Sequence, residues 1–455
     1  MTPVPRPLAL VHGLGRFGGG LAAVQFRHRH GYAVRIADRT NDPAMAASLG
    51  ALAEGASIDL QLGREDHGLL DGVDLLVVNP AVPDQHPLLR AAAARGIERT
   101  QEVNLFLAHY PGRVVGISGT NGKSSTATLL HAALQRNGID ALLGGNIGRS
   151  LLDDEGLWKA SQIAVLEISS FQLERVAPEQ RIEGAIMTRV GSDHLDRHGS
   201  LASYQAAKGR LAGMASAFFI HDAEDPVAEA FASPARHRIR FGSDPPGPGS
   251  MGEADGWLMA RTGDEPAERL LRREAMLLMG DYQRHNALAA AAAARLLDAD
   301  PHRTAVALAT ARPLPFRLQL AGVIDGVKLF DNAVSTEVES TRAALRNVPG
   351  RVHWVGGGKS KAGDGADVVA AIQPLAASTH LFGATAAALA DRPLAGPVTL
   401  HERLEQALEA AIDAARPDES VLFSPGFASF DQFPNFRARA QAFHNWLHER
   451  RTSQG

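Results

Sequence analysis

An α/β fold of three domains, each built on a mainly parallel sheet, is predicted by three observations. Short β-branched runs alternate with Ala-, Leu- and Arg-rich stretches along all 455 residues, the pattern of strands joined by helical crossovers. Two glycine-rich loops, Gly13–Gly18 and Gly119–Ser125, each follow an apolar run and open a helical stretch. Breaks at Pro111-Gly112 and at Ala311–Arg317, where two prolines fall within three residues, divide the alternation. The expected domains are residues 1–111, 112–312 and 313–455.

Leu8–His12, Ala33–Ala37 and Leu75–Val78 read as strands, with an alanine-rich helix at Pro87–Arg95. Val114–Ser118 restarts the pattern before the second glycine loop and a helix over Ser125–Gln135. Ile163–Ile168, Ala185–Thr188 and Ala217–Ile220 continue it, whereas Gly242–Ser250 holds too much Pro and Gly for a regular element. Asn286–Leu297 is a helix because alanine loses no side-chain entropy there. The last strands are Val327–Phe330, Val352–Val355, Val398–Leu400 and Val421–Phe423.

Composition removes whole classes of function. With 46 Lys+Arg against 50 Asp+Glu the net charge is −4, which gives no basic stripe for nucleic acid. The chain has no cysteine, so disulfides, thiolate catalysis, CxxC zinc sites and iron–sulfur clusters are excluded together. The first twenty residues are broken by prolines and then glycines, unlike the core of a signal peptide. No apolar run approaches the roughly 18–20 residues that span a bilayer. A cytoplasmic enzyme with no nucleic-acid or membrane partner is the expectation.

Gly13-Leu-Gly15-Arg-Phe-Gly18 follows a strand, and Asp38 follows the next one. That is a dinucleotide fingerprint, in which glycines admit a pyrophosphate to a helix N-terminus and the acid takes a ribose hydroxyl. It names a phosphate-bearing nucleotide, and a tight turn packing helix on strand gives the same pattern. Gly119-Thr120-Asn121-Gly122-Lys123-Ser124-Ser125 is more specific. Backbone N–H groups there can cradle phosphates, Lys123 can neutralise them and Ser124 can ligate Mg²⁺. It departs from the general P-loop form, whose first glycine would fall at Ile117.

The loop GTNGKSS resembles that of the Mur ligases, ATP-dependent amino-acid ligases of peptidoglycan synthesis. LEISSFQLE (Leu166–Glu174), SDHLDRH (Ser192–His198), YQAAKGRL (Tyr204–Leu211) and SPGFASFDQFPNF (Ser424–Phe436) agree in order and spacing. The last, with the N-terminal glycine loop, resembles the glutamate-adding branch of the family. The resemblance covers essentially the whole chain. It implies a Rossmann-like domain binding the UDP-linked substrate, a central P-loop-type ATPase domain and a Rossmann-like C-terminal domain for the amino acid. It also implies ATP and two Mg²⁺ ions as cofactors, with UDP-N-acetylmuramoyl-L-alanine and glutamate as substrates joined through an acyl phosphate.

On that resemblance Lys123, His194 and Lys208 are catalytic, and Ser124, Glu167, His194 and Lys208 hold metal, the last as a carbamate. A surface lysine and a solvated loop histidine are the bland readings of Lys208 and His194, and Asp193 and Asp196 are expected to orient that loop or cap the next helix. ATP falls to Gly119–Ser125, Asn286, Arg317 and Asp331, with Lys359 or Lys361 near phosphate. Gly15, Arg16, Phe17, Asp38, Asn79 and Asn146 fall to the UDP-linked substrate; Thr336, Ser429, Phe430 and Phe436 fall to the amino acid.

One segment departs from the family. The glutamate-adding branch follows its aspartate with Ser-Lys-Ala-Thr, and this chain has Asp331-Asn-Ala-Val-Ser-Thr336 with no lysine. Losing a charged partner for a buried carboxylate costs on the order of 1.5–3 kcal/mol. The expectation is therefore L-glutamate, with an epimerase to invert it afterwards, and D-glutamate as the alternative. On the residues alone, a nicotinamide dehydrogenase fused to a P-loop domain and a non-catalytic nucleotide-binding regulator stay open.

Overall fold

The computed structural model describes residues 6–15, 18–40, 49, 58–261, 265–336, 338–360, 375–392, 394 and 396–452. The chain divides into two compact units, Met1–Ala275 with His285–Ala309, and Met276–Arg284 with Thr310–Gly455.

The first unit holds two sheets. Strands β1 (Leu8–His12), β2 (Ala33–Asp38), β3 (Ile58–Leu62), β4 (Leu75–Val78) and β5 (Glu98–Thr100) form an all-parallel sheet in the order β3-β2-β1-β4-β5. Ala9 and Val11 of β1 pack with Ala22 and Phe26 of the helix Gly19–Arg29. Leu10, from the other face of β1, packs with Leu88 and Leu89 of the helix Pro87–Ala94. Covering both faces is what makes β1 read as an unbroken apolar run.

The second sheet has nine strands: β6 (Arg113–Ser118), β7 (Ala141–Gly145), β8 (Ile163–Glu167), β9 (Ile182–Met187), β10 (Ala215–Asp222), β11 (His237–Phe241), β12 (Ser250–Ala254), β13 (Trp257–Arg261) and β14 (Glu268–Arg272). Their order is β14-β13-β12-β11-β10-β9-β6-β8-β7. The strands from β7 to β12 run parallel, and β13 and β14 are added antiparallel. Strand β6 lies between β8 and β9 with Ile117 opposite both Glu167 and Ile186. The carboxyl ends of three central strands thus emerge together, the place where parallel sheets bind ligands.

The second unit holds one sheet: β15 (Gln319–Ile324), β16 (Val327–Asp331), β17 (Val352–Gly357), β18 (Ser378–Phe382), β19 (Val398–His401) and β20 (Ser420–Gly426), ordered β15-β16-β20-β17-β18-β19. Only β15 is antiparallel to its neighbour. Val355, Phe382 and Phe423 pack beneath Leu404, Leu408 and Ala411 of the helix Leu404–Ala414. A row of polar side chains crosses the same face. Glu419 Oε2 meets His353 Nε2 at 2.9 Å, His353 Nδ1 meets Ser378 Oγ at 2.7 Å, and Ser378 Oγ meets His380 Nε2 at 2.7 Å. His380 Nδ1 then meets Thr399 Oγ1 at 2.8 Å, and Thr399 Oγ1 meets His401 Nε2 at 2.8 Å. Among the described residues no helix is long and apolar enough to cross a membrane.

Candidate functional site

The loop after β6 can be built only with its glycines. Gly119 has φ +146° and Gly122, which precedes the helix Lys123–Arg136, has φ +88°. A Cβ on Gly119 would lie 1.8 Å from Thr188 Oγ1, and one on Gly122 would lie 2.4 Å from Asn286 Oδ1. Asn286, buried on the helix Asp281–Leu296, also accepts from Thr126 Oγ1 at 3.2 Å. Thr120 Oγ1 is 2.7 Å from Tyr204 OH and accepts from Gly191 N at 2.8 Å, and Thr188 Oγ1 donates to Asn121 O at 2.6 Å. The residues after β9 therefore brace the loop. Lys123 Nζ folds back onto the loop's own carbonyls, Gly119 O at 2.9 Å and Thr120 O at 2.8 Å. Ser124 and Ser125 are buried in the first helical turn, where the helix dipole favours an anion.

Lys208, on the helix Leu201–Met214, is 1% exposed, so it is no surface lysine. Its Nζ donates to Gly119 O at 2.7 Å and stands 4.8 Å from the centre of the Tyr204 ring. Burial, reinforced by the charge of Lys123, holds this ammonium well below its ordinary value, with Asp193 and Glu167 opposing. Glu167 ends β8 and is 2% exposed. Its Oε1 accepts from Asn146 Nδ2 at 2.8 Å, while Oε2 is buried with no hydrogen-bond partner among the described residues. An orphaned carboxylate oxygen in a phosphate cradle fits a hard cation, which takes oxygen ligands.

His194 lies at the rim. It has φ +52°, its side chain is 45% exposed, its Nε2 is 3.1 Å from Asp193 Oδ2 and its ring centre is 4.9 Å from that of Phe171. Asp193 orients the loop as expected, its Oδ1 accepting from His194 N at 2.7 Å, and with Glu167 it is one of two acids whose charge opposes the burial of Lys208. Ser200 instead caps the helix Leu201–Met214, accepting from Ser203 N at 3.1 Å. The side chain of Asp196 lies outside the described residues.

The N-terminal glycine loop divides its tasks differently from the fingerprint. Gly13 and Gly15 have positive φ and face Asn79, whose Nδ2 would be 2.4 Å from a Cβ on Gly15. Gly18 needs its φ of +83° but has open space around it. Close packing falls to Gly20, where a Cβ would be 2.3 Å from Leu14 O. Asp38, expected to meet a ribose, uses Oδ2 to accept from Leu14 N at 2.9 Å and Oδ1 to accept from Thr40 N at 2.9 Å. It holds the loop's shape with both oxygens. Arg16 and Phe17 lie outside the described residues. His12, just before the loop, is held near 4 by burial and by neighbouring His86, so its ring is neutral.

In the second unit Asp331 is fully buried, accepting from Ala333 N at 2.8 Å through Oδ1, with Oδ2 2.8 Å from His444 Nε2. Arg317 is partly buried near Tyr282. Lys359 and Ala428 exchange backbone hydrogen bonds, which sets Lys359 beside buried Ser429 and a 63% exposed Phe430. Thr336 is partly buried, Phe436 opens the helix Phe436–Thr452, and Lys361 lies outside the described residues. Two polar residues of the lysine-free segment, Asn332 and Ser335, point inward. Asn332 Nδ2 donates to Ser424 Oγ at 3.0 Å, and Ser335 Oγ is 2.9 Å from Thr341 Oγ1. Arg439, absent from the sequence reading, is fully buried and donates to Phe427 O at 2.9 Å and to Ala333 O at 3.4 Å. Burial lowers its guanidinium to about 10, with Asp431 opposing.

The first unit thus brings Lys123, Lys208, Glu167, Asn146, Asn286 and Asp193 around one loop. Thr188, Gly20 and Arg439 were missed, since each acts by packing or by bonding backbone and carries no motif of its own; Tyr204 stood in the quoted YQAAKGRL string, but its bond to Thr120 was not foreseen.

Family models match in three consecutive stretches: the Mur ligase MurD-like N-terminal domain over residues 8–100, the Mur ligase middle domain over 117–294 and the Mur ligase glutamate ligase domain over 316–427. A UDP-N-acetylmuramoylalanine--D-glutamate ligase of Cupriavidus pinatubonensis is 32% identical, covering 99% of this chain and 98% of its own. One from Burkholderia multivorans is 33% identical, covering 96% of each. Among solved structures, UDP-N-acetylmuramate-alanine ligase MurC of Thermotoga maritima matches at TM-score 0.64 and 17% identity, over 99% of this chain and 100% of that one. A pseudomurein peptide ligase type C from Methanothermus fervidus matches at TM-score 0.61 and 17% identity, over 97% and 99%. The chain belongs to the Mur ligase family and is an ATP-dependent amide ligase.

Proposed function

We propose that this chain joins D-glutamate to UDP-N-acetylmuramoylalanine, using ATP and passing through an acyl phosphate. The observation that carries the reading is Lys123 and a buried Lys208 meeting on one loop carbonyl, Gly119 O, beside Glu167. The expectation of L-glutamate is reversed. Relatives 32–33% identical over nearly the whole chain are named for the D-isomer, and Asn332 and Ser335 of the lysine-free segment are turned into the fold, so the missing lysine alone does not report on a carboxylate clamp. An epimerase is then not needed.

A carboxylate oxygen of the UDP-linked substrate attacks the γ-phosphorus and ADP leaves; the amine of glutamate then attacks the acyl carbon, phosphate leaves and the amine gives up a proton. Lys123 exchanges its loop carbonyls for phosphate oxygens, and the amides of the first helical turn hold charge that develops there. Ser124 and Glu167 would hold one Mg²⁺, and His194 with a carbamylated Lys208 a second. When bound, such ions supply the positive charge that lets two anions approach. A desolvated, deprotonated Lys208 amine can add to CO₂ and release a proton, which turns a misplaced cation into an oxygen ligand. Asn286 contacts the adenine end of ATP.

Residues 1–111 serve the UDP-linked substrate through Gly15, Arg16, Phe17 and Asn79, with Asn146 added from residues 112–312, the ATP part; residues 313–455 serve glutamate through Thr336, Ser429, Phe430 and Phe436. Assignment of Arg317 and Asp331 to ATP rests on the family resemblance. Phosphate release measured with UDP-N-acetylmuramoyl-L-alanine and each glutamate isomer separately should be stimulated by the D-isomer. Stimulation by the L-isomer alone would return the L-specific reading.

A further inference from the structure

We propose that His12, Glu65 and His86 form a binding site for one zinc-class divalent ion beside the Gly13 loop of the first sheet. Each residue offers one ligand atom, and the three atoms lie within 4.8 Å of one another. His12 is 2% exposed, and its Nδ1 is buried with no hydrogen-bond partner among the described residues. Native interiors seldom leave a buried nitrogen dry without a reason. The His12 and His86 rings are 5.0 Å apart between centres and tilted by 51°. Two imidazoles held about 2.0–2.1 Å from one tetrahedral ion place their ring centres roughly 5 Å apart. The side chain of Glu65 is 46% exposed, giving an ion a path from water, and its Oε1 is 3.5 Å from His86 Nε2.

Two imidazoles and a carboxylate suit Zn²⁺ or Co²⁺ better than Mg²⁺, which prefers oxygen. His86 Nδ1 accepts from Leu88 N at 3.3 Å. Ligation through Nε2 moves the ring proton to Nδ1 and gives up that long helix cap. In return the ion ties the end of β1 to the turn carrying His86. His12 O already accepts from Asn79 N at 3.0 Å, so the clamp reaches the residue that lines the glycine loop. The site belongs to the first sheet and the P-loop to the second, and the site does not depend on the identity of the amino acid ligated.

The test uses metal-stripped full-length protein in excess Mg²⁺, which occupies hard oxygen sites. Equilibrium dialysis with Zn²⁺, and the visible absorption of added Co²⁺, should both report one ion per chain. Glu65→Gln, a change at an exposed side chain that leaves the fold intact by thermal melting, should weaken binding by at least about tenfold, and His86→Ala should abolish it. His285→Ala, which removes the ring facing Asp222 and Glu224, should leave it unchanged. Absence of a retained ion, equal binding by Glu65→Gln and His86→Ala, or loss in His285→Ala instead overturns the assignment.

Discussion

Lys208 carries its amine to a place that is almost fully buried, and that burial favours its neutral form over the ammonium. A neutral amine is the form that adds CO₂, so ¹³C-labelled bicarbonate should give one carbamate resonance in the wild-type protein and none in Lys208→Arg. The same variant should lose ligation by at least roughly 100-fold in kcat, the scale of a removed electrostatic partner. Full activity in the variant would return Lys208 to a structural role. Gly122→Ala tests the loop in another way. The left-handed backbone costs about 1–2 kcal/mol for a residue with a Cβ, and the new methyl would push Asn286 aside. A lower melting temperature together with a raised KM for ATP is expected. Lys123, Glu167 and Asn286 were legible in the sequence because each sits in a recognisable string. The depth of Lys208 and its facing acid Asp193 were not, because both depend on how a later helix returns across β6 and β9.

At the scale of the element, the turn from β1 into the helix Gly19–Arg29 separates two reasons for glycine. Gly18→Ala meets only its own backbone angle and should cost about 1 kcal/mol. Gly20→Ala drives a methyl into the Leu14 backbone and should cost roughly 1–3 kcal/mol or more. Urea unfolding of the two variants checks the order, and equal losses would mean the helix shifts freely. The long parallel strands were read from sequence because burial on both faces makes them apolar throughout. Strands β3 and β5, at the edges of the first sheet, carry charge in IDLQL and ERT and were passed over. The hairpins β12–β13 and β15–β16 turn at Asp255-Gly256 and Asp325-Gly326, all four with positive φ. That Asp-Gly signal for a tight reversal was present in the sequence and was masked by the expectation of parallel strands.

For the whole molecule, three sheets follow one another in sequence order, and the chain packs them as two compact units. The second unit should respond to acid through His380. Burial, with His353 and His401 as neighbours, brings this ring down to about 4 from its ordinary 6.5. The unfolded chain takes up the proton first as pH falls, so the stabilisation is complete above about 6.5 and is lost toward 4. Up to roughly 3 kcal/mol is involved. Denaturant unfolding of this unit between pH 7 and pH 4 should show that loss, and His380→Gln should flatten it; an unchanged slope would place the acid sensitivity elsewhere. No sequence pattern announced this cluster, since His353, His380 and His401 come from three strands and meet only through the sheet's register.

The same row of side chains has a one-way polarity. Glu419 is a carboxylate and can only accept, so His353 must present a hydrogen on Nε2, and as a neutral imidazole it then carries its lone pair on Nδ1. Ser378 then has to donate to His353 and receive from His380 Nε2, and Thr399 must donate to His380 and receive from His401 Nε2. One acid just before β20 therefore dictates the tautomer of three neutral imidazoles on three neighbouring strands, and none of them can be reversed alone.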